Sequence, residues 1–131
     1  MRRIAWILSL ALLAACTTNA PAPPPRPQQF DIFFQVGSAR LTPEGQQVVD
    51  TAAAAIRDAK PSSILVEGQA DGALPKDAQL ADQRARTVTG ALKAAGVDPA
   101  RIAQHPALAL PANTDLATHI STHKVTVQLM P

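Results

Sequence analysis

Residues 63–92, SILVEGQADGALPKDAQLADQRARTVTGAL, decide the fold, because the spacing of apolar side chains changes in kind part-way along them. Residues 63–68 are rich in β-branched and large apolar side chains and read as a strand. The stretch from Gly68 through Gly72 to Pro75 reads as a loop. Asp77 is placed to cap a helix whose inward stripe is Leu80, Ala81, Ala85, Val88 and Leu92, and Gly96 falls just past its end.

The same strand-then-helix cycle precedes this one. Phe30-Asp31-Ile32-Phe33-Phe34-Gln35-Val36 is dense in aromatic and β-branched residues and reads as a strand, which Gly37 and Ser38 break. Thr42-Pro43-Glu44 reads as a helix start: a threonine cap, proline at the first helical position, and a carboxylate near the positive end of the helix dipole. Val48, Val49, Ala52, Ile56 and Ala59 carry that helix along one face, and Pro61 ends it. Downstream, Asp98 and Pro99 turn the chain, residues 102–110 are ambiguous, and residues 123–129 alternate as a last strand. The order is strand, helix, strand, helix, a doubtful strand, strand. That order implies an α+β class: a two-layer β-α-β-α-β(-β) sandwich with a mixed sheet and the helices packed on one face. About a hundred residues from Phe30 to Pro131 suffice for one small core and are too few for two.

At the start of the chain, Arg2 and Arg3 precede an apolar run over residues 4–13 that only Ser9 interrupts, the charge-then-apolar order of a secretory signal. A membrane-crossing helix needs roughly twenty apolar residues, so this run is expected to be a targeting segment. Leu13-Ala14-Ala15-Cys16 resembles the lipobox of bacterial lipoproteins, in which the chain is cut before the cysteine and lipid is attached to its sulfur. Cys16 is the single cysteine, so no internal disulfide competes for it. Thr17 follows, and the resemblance to lipoproteins without aspartate at that place implies a lipid anchor in the outer membrane with the domain in the periplasm. Residues 17–29 hold five of the twelve prolines and almost no large apolar side chain. They read as an extended spacer of about 3.1 Å per residue, reaching roughly 40 Å. A Pro-rich ligand for a recognition domain is the rival reading of that composition. The expected organisation is a signal peptide over 1–15, a lipidated cysteine and linker over 16–29, and one domain over 30–131.

The formal charge of +2 includes Arg2 and Arg3, and without them ten basic side chains face ten acidic ones. A neutral domain has no electrostatic footprint for nucleic acid. Base-stacking platforms are missing too: aromatic content is 3%, tyrosine is absent, and the one tryptophan, Trp6, lies in the signal. His119 and His123 are four residues apart, but residue 123 opens a strand and no His-Glu-x-x-His occurs, so no metal and no cofactor are expected. No Gly-x-Ser-x-Gly or other nucleophile signature is present, which makes an enzyme the least supported class.

Four separated segments together resemble the OmpA-like (OmpA/MotB/Pal) peptidoglycan-associated domain. Phe33-Phe34-Gln35-Val36-Gly37-Ser38-Ala39-Arg40-Leu41-Thr42-Pro43 is similar to its strand, Gly-Ser-Ala and Leu-Thr-Pro opening. Val66-Glu67-Gly68-Gln69-Ala70-Asp71 resembles V-x-G-H-[TA]-D, with Gln69 in the histidine position. Asp77, Leu80, Ala81, Arg84, Ala85, Val88 and Leu92 fall on N-x-x-L-S-x-x-R-A-x-x-V-x-x-x-L, and Gly96-Val97-Asp98-Pro99-Ala100-Arg101-Ile102 is similar to the helix exit. The resemblance implies a non-enzymatic domain that binds the peptidoglycan stem peptide through its diaminopimelate. Asp71 and Arg84 stand where the family grips that residue, and Asp77, as cap and loop end, shapes the site. Chemically, an acid meets the ligand's ammonium while a guanidinium presents paired donors to its carboxylate. This sequence also departs from the pattern: the interval from Asp71 to Arg84 is short, and Thr122-His123-Lys124-Val125 stands for N-R-R-V. Those departures keep open a second reading, an envelope scaffold that has lost the ligand and makes protein contacts.

Overall fold

Thr42 starts the first helix through its own side chain, whose Oγ1 accepts a hydrogen bond from Gly45 N at 3.1 Å and so satisfies one of the unpaired amides of the first turn. Pro43 follows at the position where a missing N–H costs nothing. The helix ends at Ala59, with Lys60 in the left-handed conformation and its N–H returned to Ile56 O. In this computed structural model the described residues are 28–71, 75–110 and 123–131. They form β1 (Gln28–Phe33), α1 (Pro43–Ala59), β2 (Ser63–Asp71), α2 (Pro75–Ala94), a 3-10 turn (Pro99–Arg101), β3 (Ile102–Leu110) and β4 (Lys124–Met130).

The strands make one mixed sheet in the order β1-β4-β2-β3. β4 runs antiparallel to both β1 and β2, and β3 lies parallel to β2 at the edge. A parallel neighbour requires a crossover, and α2 supplies it. Alternation sorts the side chains: Ile32 from β1, Ile64 and Val66 from β2, and Val125, Val127 and Leu129 from β4 all point into the core. Val49, Ala52, Ala53 and Ile56 of α1 and Ala85, Val88 and Leu92 of α2 meet them there. Each fully buried large side chain contributes roughly 2 kcal/mol. The fold is the α+β two-layer sandwich expected, and the segment left ambiguous over 102–110 is a full strand.

Several boundaries fall elsewhere than the spacing suggested. β1 begins at Gln28, two residues inside the expected spacer, because Gln28 and Gln29 pair with Leu129 and Gln128. It stops at Phe33, not at residue 36; Phe34 N still donates to His123 O at 2.8 Å before the chain turns. β2 runs on to Asp71, past the expected break at Gly68, which keeps its pairing with Val125 of β4, while opposite it β3 fits in an extra residue, Pro106 and Ala107 facing the one glycine. Asp77 lies in the first turn of α2, which begins at Pro75, so it is not the cap. Ala59 is exposed and not part of the inward face of α1. Cys16, the linker before Gln28, and His119 lie outside the described residues. Among the described residues no helix is long and apolar enough to cross a membrane.

Candidate functional site

Arg84 sits on the buried stripe of α2, one step from Ala81 and Val88, and it is only 2% exposed. A charge so placed must find hydrogen-bond partners or unfold its surroundings. It finds them in the connection between β1 and α1: Nε donates to Ser38 O at 2.7 Å and Nη2 donates to Gln35 O at 2.9 Å. The guanidinium also lies 5.5 Å from the centre of the Phe34 ring, within reach of a cation–π attraction. Burial pushes its pKa down from the ordinary arginine value, and the carboxylate of Asp77 works in the opposite direction. It remains a cation, because arginine begins so far above neutrality.

The connection itself is shaped to be held. Ser38 N donates to Gln35 O at 3.1 Å, closing a turn in which Gly37 adopts φ +69°, a conformation that a side chain would strain. Ser38 Oγ accepts from Arg40 N at 3.1 Å. One turn further along α2, Thr87 Oγ1 lies 2.9 Å from Ala39 O and 3.0 Å from Gln83 O, so its single proton is shared between them. Thus α2 fastens this turn at the carbonyls of residues 35, 38 and 39. On its other side α2 fastens the sheet edge, where Asp82 Oδ1 accepts from Ala107 N of β3 at 3.1 Å.

Gly68 shows why α2 can reach so deep. A Cβ placed there would stand 2.3 Å from Ala81 O and 2.8 Å from the carbonyl carbon, so the helix backbone rests directly on the strand. Glycine and the small Ala81 are therefore packing residues of the motif. Asp71 ends the same strand, its backbone paired with Leu110, at the sheet end that also carries the turn bound to Arg84; its side chain lies outside the described part. Asp77, partly exposed in the first turn of α2, contributes a carboxylate that favours the helix dipole and the charge of Arg84. Asp77 thus lies near enough for its charge to favour that of Arg84, and Asp71 stands at the same pole through its backbone. The spacing did not announce the loop carbonyls, Thr87 or Asp82. One signal was available: Arg84 falls three residues after Ala81 and four before Val88, which marks it as inward-facing. Among the described residues no three His, Cys, Asp or Glu side chains group as metal ligands would.

A mixed four-stranded sheet with two helices packed on one face is the fold of OmpA-like domains, and in this chain a buried arginine clamps its first strand-to-helix turn. The family model named OmpA matches residues 33–123, and the chain belongs to the OmpA family. No curated protein gives a significant sequence match. Among solved structures, the OmpA-like domain of FopA1 from Francisella tularensis subsp. tularensis SCHU S4 is 21% identical with TM-score 0.64, over 79% of this chain and 72% of that one. The peptidoglycan-associated lipoprotein from Burkholderia pseudomallei is 20% identical with TM-score 0.62, over 76% of this chain and 88% of its own. The cell wall anchor of the type VI secretion system from Pseudomonas aeruginosa is 21% identical with TM-score 0.61, over 75% and 74%. At these identities the likeness is one of fold.

Proposed function

We propose that this chain is an outer-membrane lipoprotein, cut before Cys16 and lipidated there, whose periplasmic domain binds the peptidoglycan stem peptide without covalent chemistry and ties the membrane to the wall. The observation that carries this reading is the desolvated cation of Arg84, held at the sheet end where Asp71 finishes β2, in a chain of the OmpA family. Two structural relatives bear names of the same kind, a peptidoglycan-associated lipoprotein and a cell wall anchor. In this reading Asp71 takes the ammonium of the stem-peptide diaminopimelate, Arg84 draws its carboxylate, and Asp77 tunes the charge between them. Arg84 carries a second task, since the turn at residues 35–38 takes its shape from the same guanidinium. A single contact of modest strength suffices, because the lipid anchor holds the domain at high local concentration beside the wall.

Co-sedimentation of the chain from residue 16 onward with purified sacculi tests the proposal. Wild type pellets with the polymer, Asp71→Asn stays in the supernatant at unchanged melting temperature, and Arg84→Lys is weakened. Wild type left wholly in the supernatant would refute wall binding and favour the scaffold reading, for which the loop bonds that occupy Arg84 are the supporting observation. Full retention of Asp71→Asn would refute the site.

A further inference from the structure

The opposite pole of the domain carries a second cluster of charge. One row crosses all four strands, Gln28, Leu129, Ile64 and Ile102, and marks the end of the sheet farthest from the turn that Arg84 clamps. Beside that row, a cleft of about 250 Å³ opens between the C-terminal ends of the two helices, with Ile56 and Val97 among its walls. Three cations from separate places converge on it: Arg57 in the last turn of α1, Lys60 at its left-handed cap, and Arg101 at the end of the 3-10 turn. Arg57 Nη1 donates to Ala95 O at 3.3 Å, as a basic side chain at a helix C-terminus is expected to. Lys60 and Arg101 make no side-chain hydrogen bond or ion pair among the described residues, so compensation of the helix ends does not account for them. The acid lining the cleft, Asp98, has one carboxylate oxygen engaged by Ala100 N at 3.0 Å. Asp58 is the acid next to Arg57 in sequence, and it is exposed.

The geometry points to a receptor for a phosphate-bearing anion at Arg57, Lys60 and Arg101, and the place of Gln28 identifies its occupant as the headgroup of an anionic phospholipid. The chain enters the domain at Gln28, on the same row as the cleft, so the spacer leading from Cys16 leaves from this pole and the wall site faces away from it. The choice of lipid over a free anion rests on the tether reading proposed above; the cleft itself does not. With lipid at Cys16, the spacer holds the basic pole within reach of headgroups, and each cation that meets an anionic surface strengthens attachment about fivefold. The attraction acts within about a Debye length, roughly 8 Å at physiological salt, so it registers docking and not mere nearness.

The test uses the chain from residue 16 with Cys16→Ser, so that no acyl chain contributes; every buried residue of the described core lies between Ile32 and Leu129, and the whole core is retained. Vesicles of phosphatidylcholine with phosphatidylglycerol are expected to retain it, vesicles of phosphatidylcholine alone are not, and raised salt releases it. Arg57→Gln, Lys60→Gln and Arg101→Gln together weaken retention by roughly 10²-fold. Arg40→Gln, at the other pole, leaves it unchanged. Equal retention on both vesicle types, or by the triple variant, would overturn the cleft. Inorganic phosphate shifting the amide resonances of residues 96–101 with no vesicle retention would make it a free-anion site and overturn the lipid assignment. The mass of Cys16 in the native lipoprotein and the sacculus assay report on the tether and the wall site separately, so a failure of either is distinguishable from a failure here.

Discussion

Replacing Gly68 by alanine is the sharpest probe of how α2 is seated. The new Cβ would meet Ala81 O at 2.3 Å and Ala81 C at 2.8 Å. Contact between such atoms becomes favourable only near 3.5 Å, so the helix must retreat by about 1 Å, and the obstructing atoms are backbone, which cannot rotate aside. Overpacking of this kind costs about 1–3 kcal/mol, and the backbone origin puts the value at the upper end. The lost freedom of the unfolded chain returns roughly 0.5–1 kcal/mol, leaving a net loss of about 2 kcal/mol. For a domain of this size that lowers the melting temperature by roughly 8–16 °C. Gly90, exposed on the same helix with nothing within 4 Å of its would-be Cβ, is the control. Gly90→Ala gains about 0.5–1 kcal/mol from helix propensity alone and raises the melting temperature. Thermal unfolding followed by circular dichroism reads both. Gly68→Ala melting at or above wild type would refute the placement of α2 on β2, and with it the depth of Arg84.

Other substitutions isolate single bonds. Thr42→Ala removes the side chain that accepts from Gly45 N and should cost about 1 kcal/mol in urea unfolding, while Thr42→Ser restores most of it. Gly37→Ala forces a side chain into φ +69° and should cost about 1–2 kcal/mol; retention on sacculi falls with it if the turn frames the ligand. On the face of the sheet away from the helices, Asp31 accepts bonds from Gln29, from Lys124 Nζ at 3.1 Å and from Thr126 at 3.0 Å. Its burial acts to raise the carboxyl pKa, but these bonds and the Lys124 charge outweigh it and hold the value below the ordinary carboxylate range. The sign follows: the stabilisation is complete above the unfolded carboxyl pKa and is lost as pH falls through the lower folded value. Asp31→Asn should therefore flatten the acid limb of the stability profile and leave the region above neutrality sloping as before.

Elements whose apolar spacing spans several turns were legible in the sequence, and those set by pairing were not. α1 announced itself through Thr42, Pro43 and the recurrence of Val49, Ala52 and Ile56, all local signals that tertiary structure had only to confirm. Strand ends depend on what lies across the sheet. Gln28 and Gln29 look like spacer until Leu129 and Gln128 are seen opposite them, and Phe34 makes one last backbone bond, to His123 O, before the turn at Gly37 takes residues 35 and 36 out of the strand. Gly68 reads as a break in the sequence for a related reason. Its absent side chain serves the helix above the strand, and only the approach of Ala81 shows this. β3 carries Pro106, and its side chains over residues 103–106 are exposed, so its alternation is weak there, and its membership in the sheet comes from the parallel pairing with β2.

The site divides along the same line. Residue types at Arg84 and Asp77 were readable, but their work depends on carbonyls, which every residue has and no sequence pattern marks. A guanidinium that only faced solvent would add little to stability and could be replaced by lysine at small cost. At 2% exposure, with Ser38 O on Nε and Gln35 O on Nη2, replacement by lysine keeps the charge but not the forked reach across both carbonyls. The turn over residues 35–38 and the charge of Arg84 are consequently one unit. A chain that kept the arginine only for packing would lose stability and nothing else on Arg84→Lys. One that uses it for ligand loses wall retention more steeply than it loses melting temperature, and Asp71→Asn, which removes neither Ser38 O nor Gln35 O from Arg84, loses retention alone.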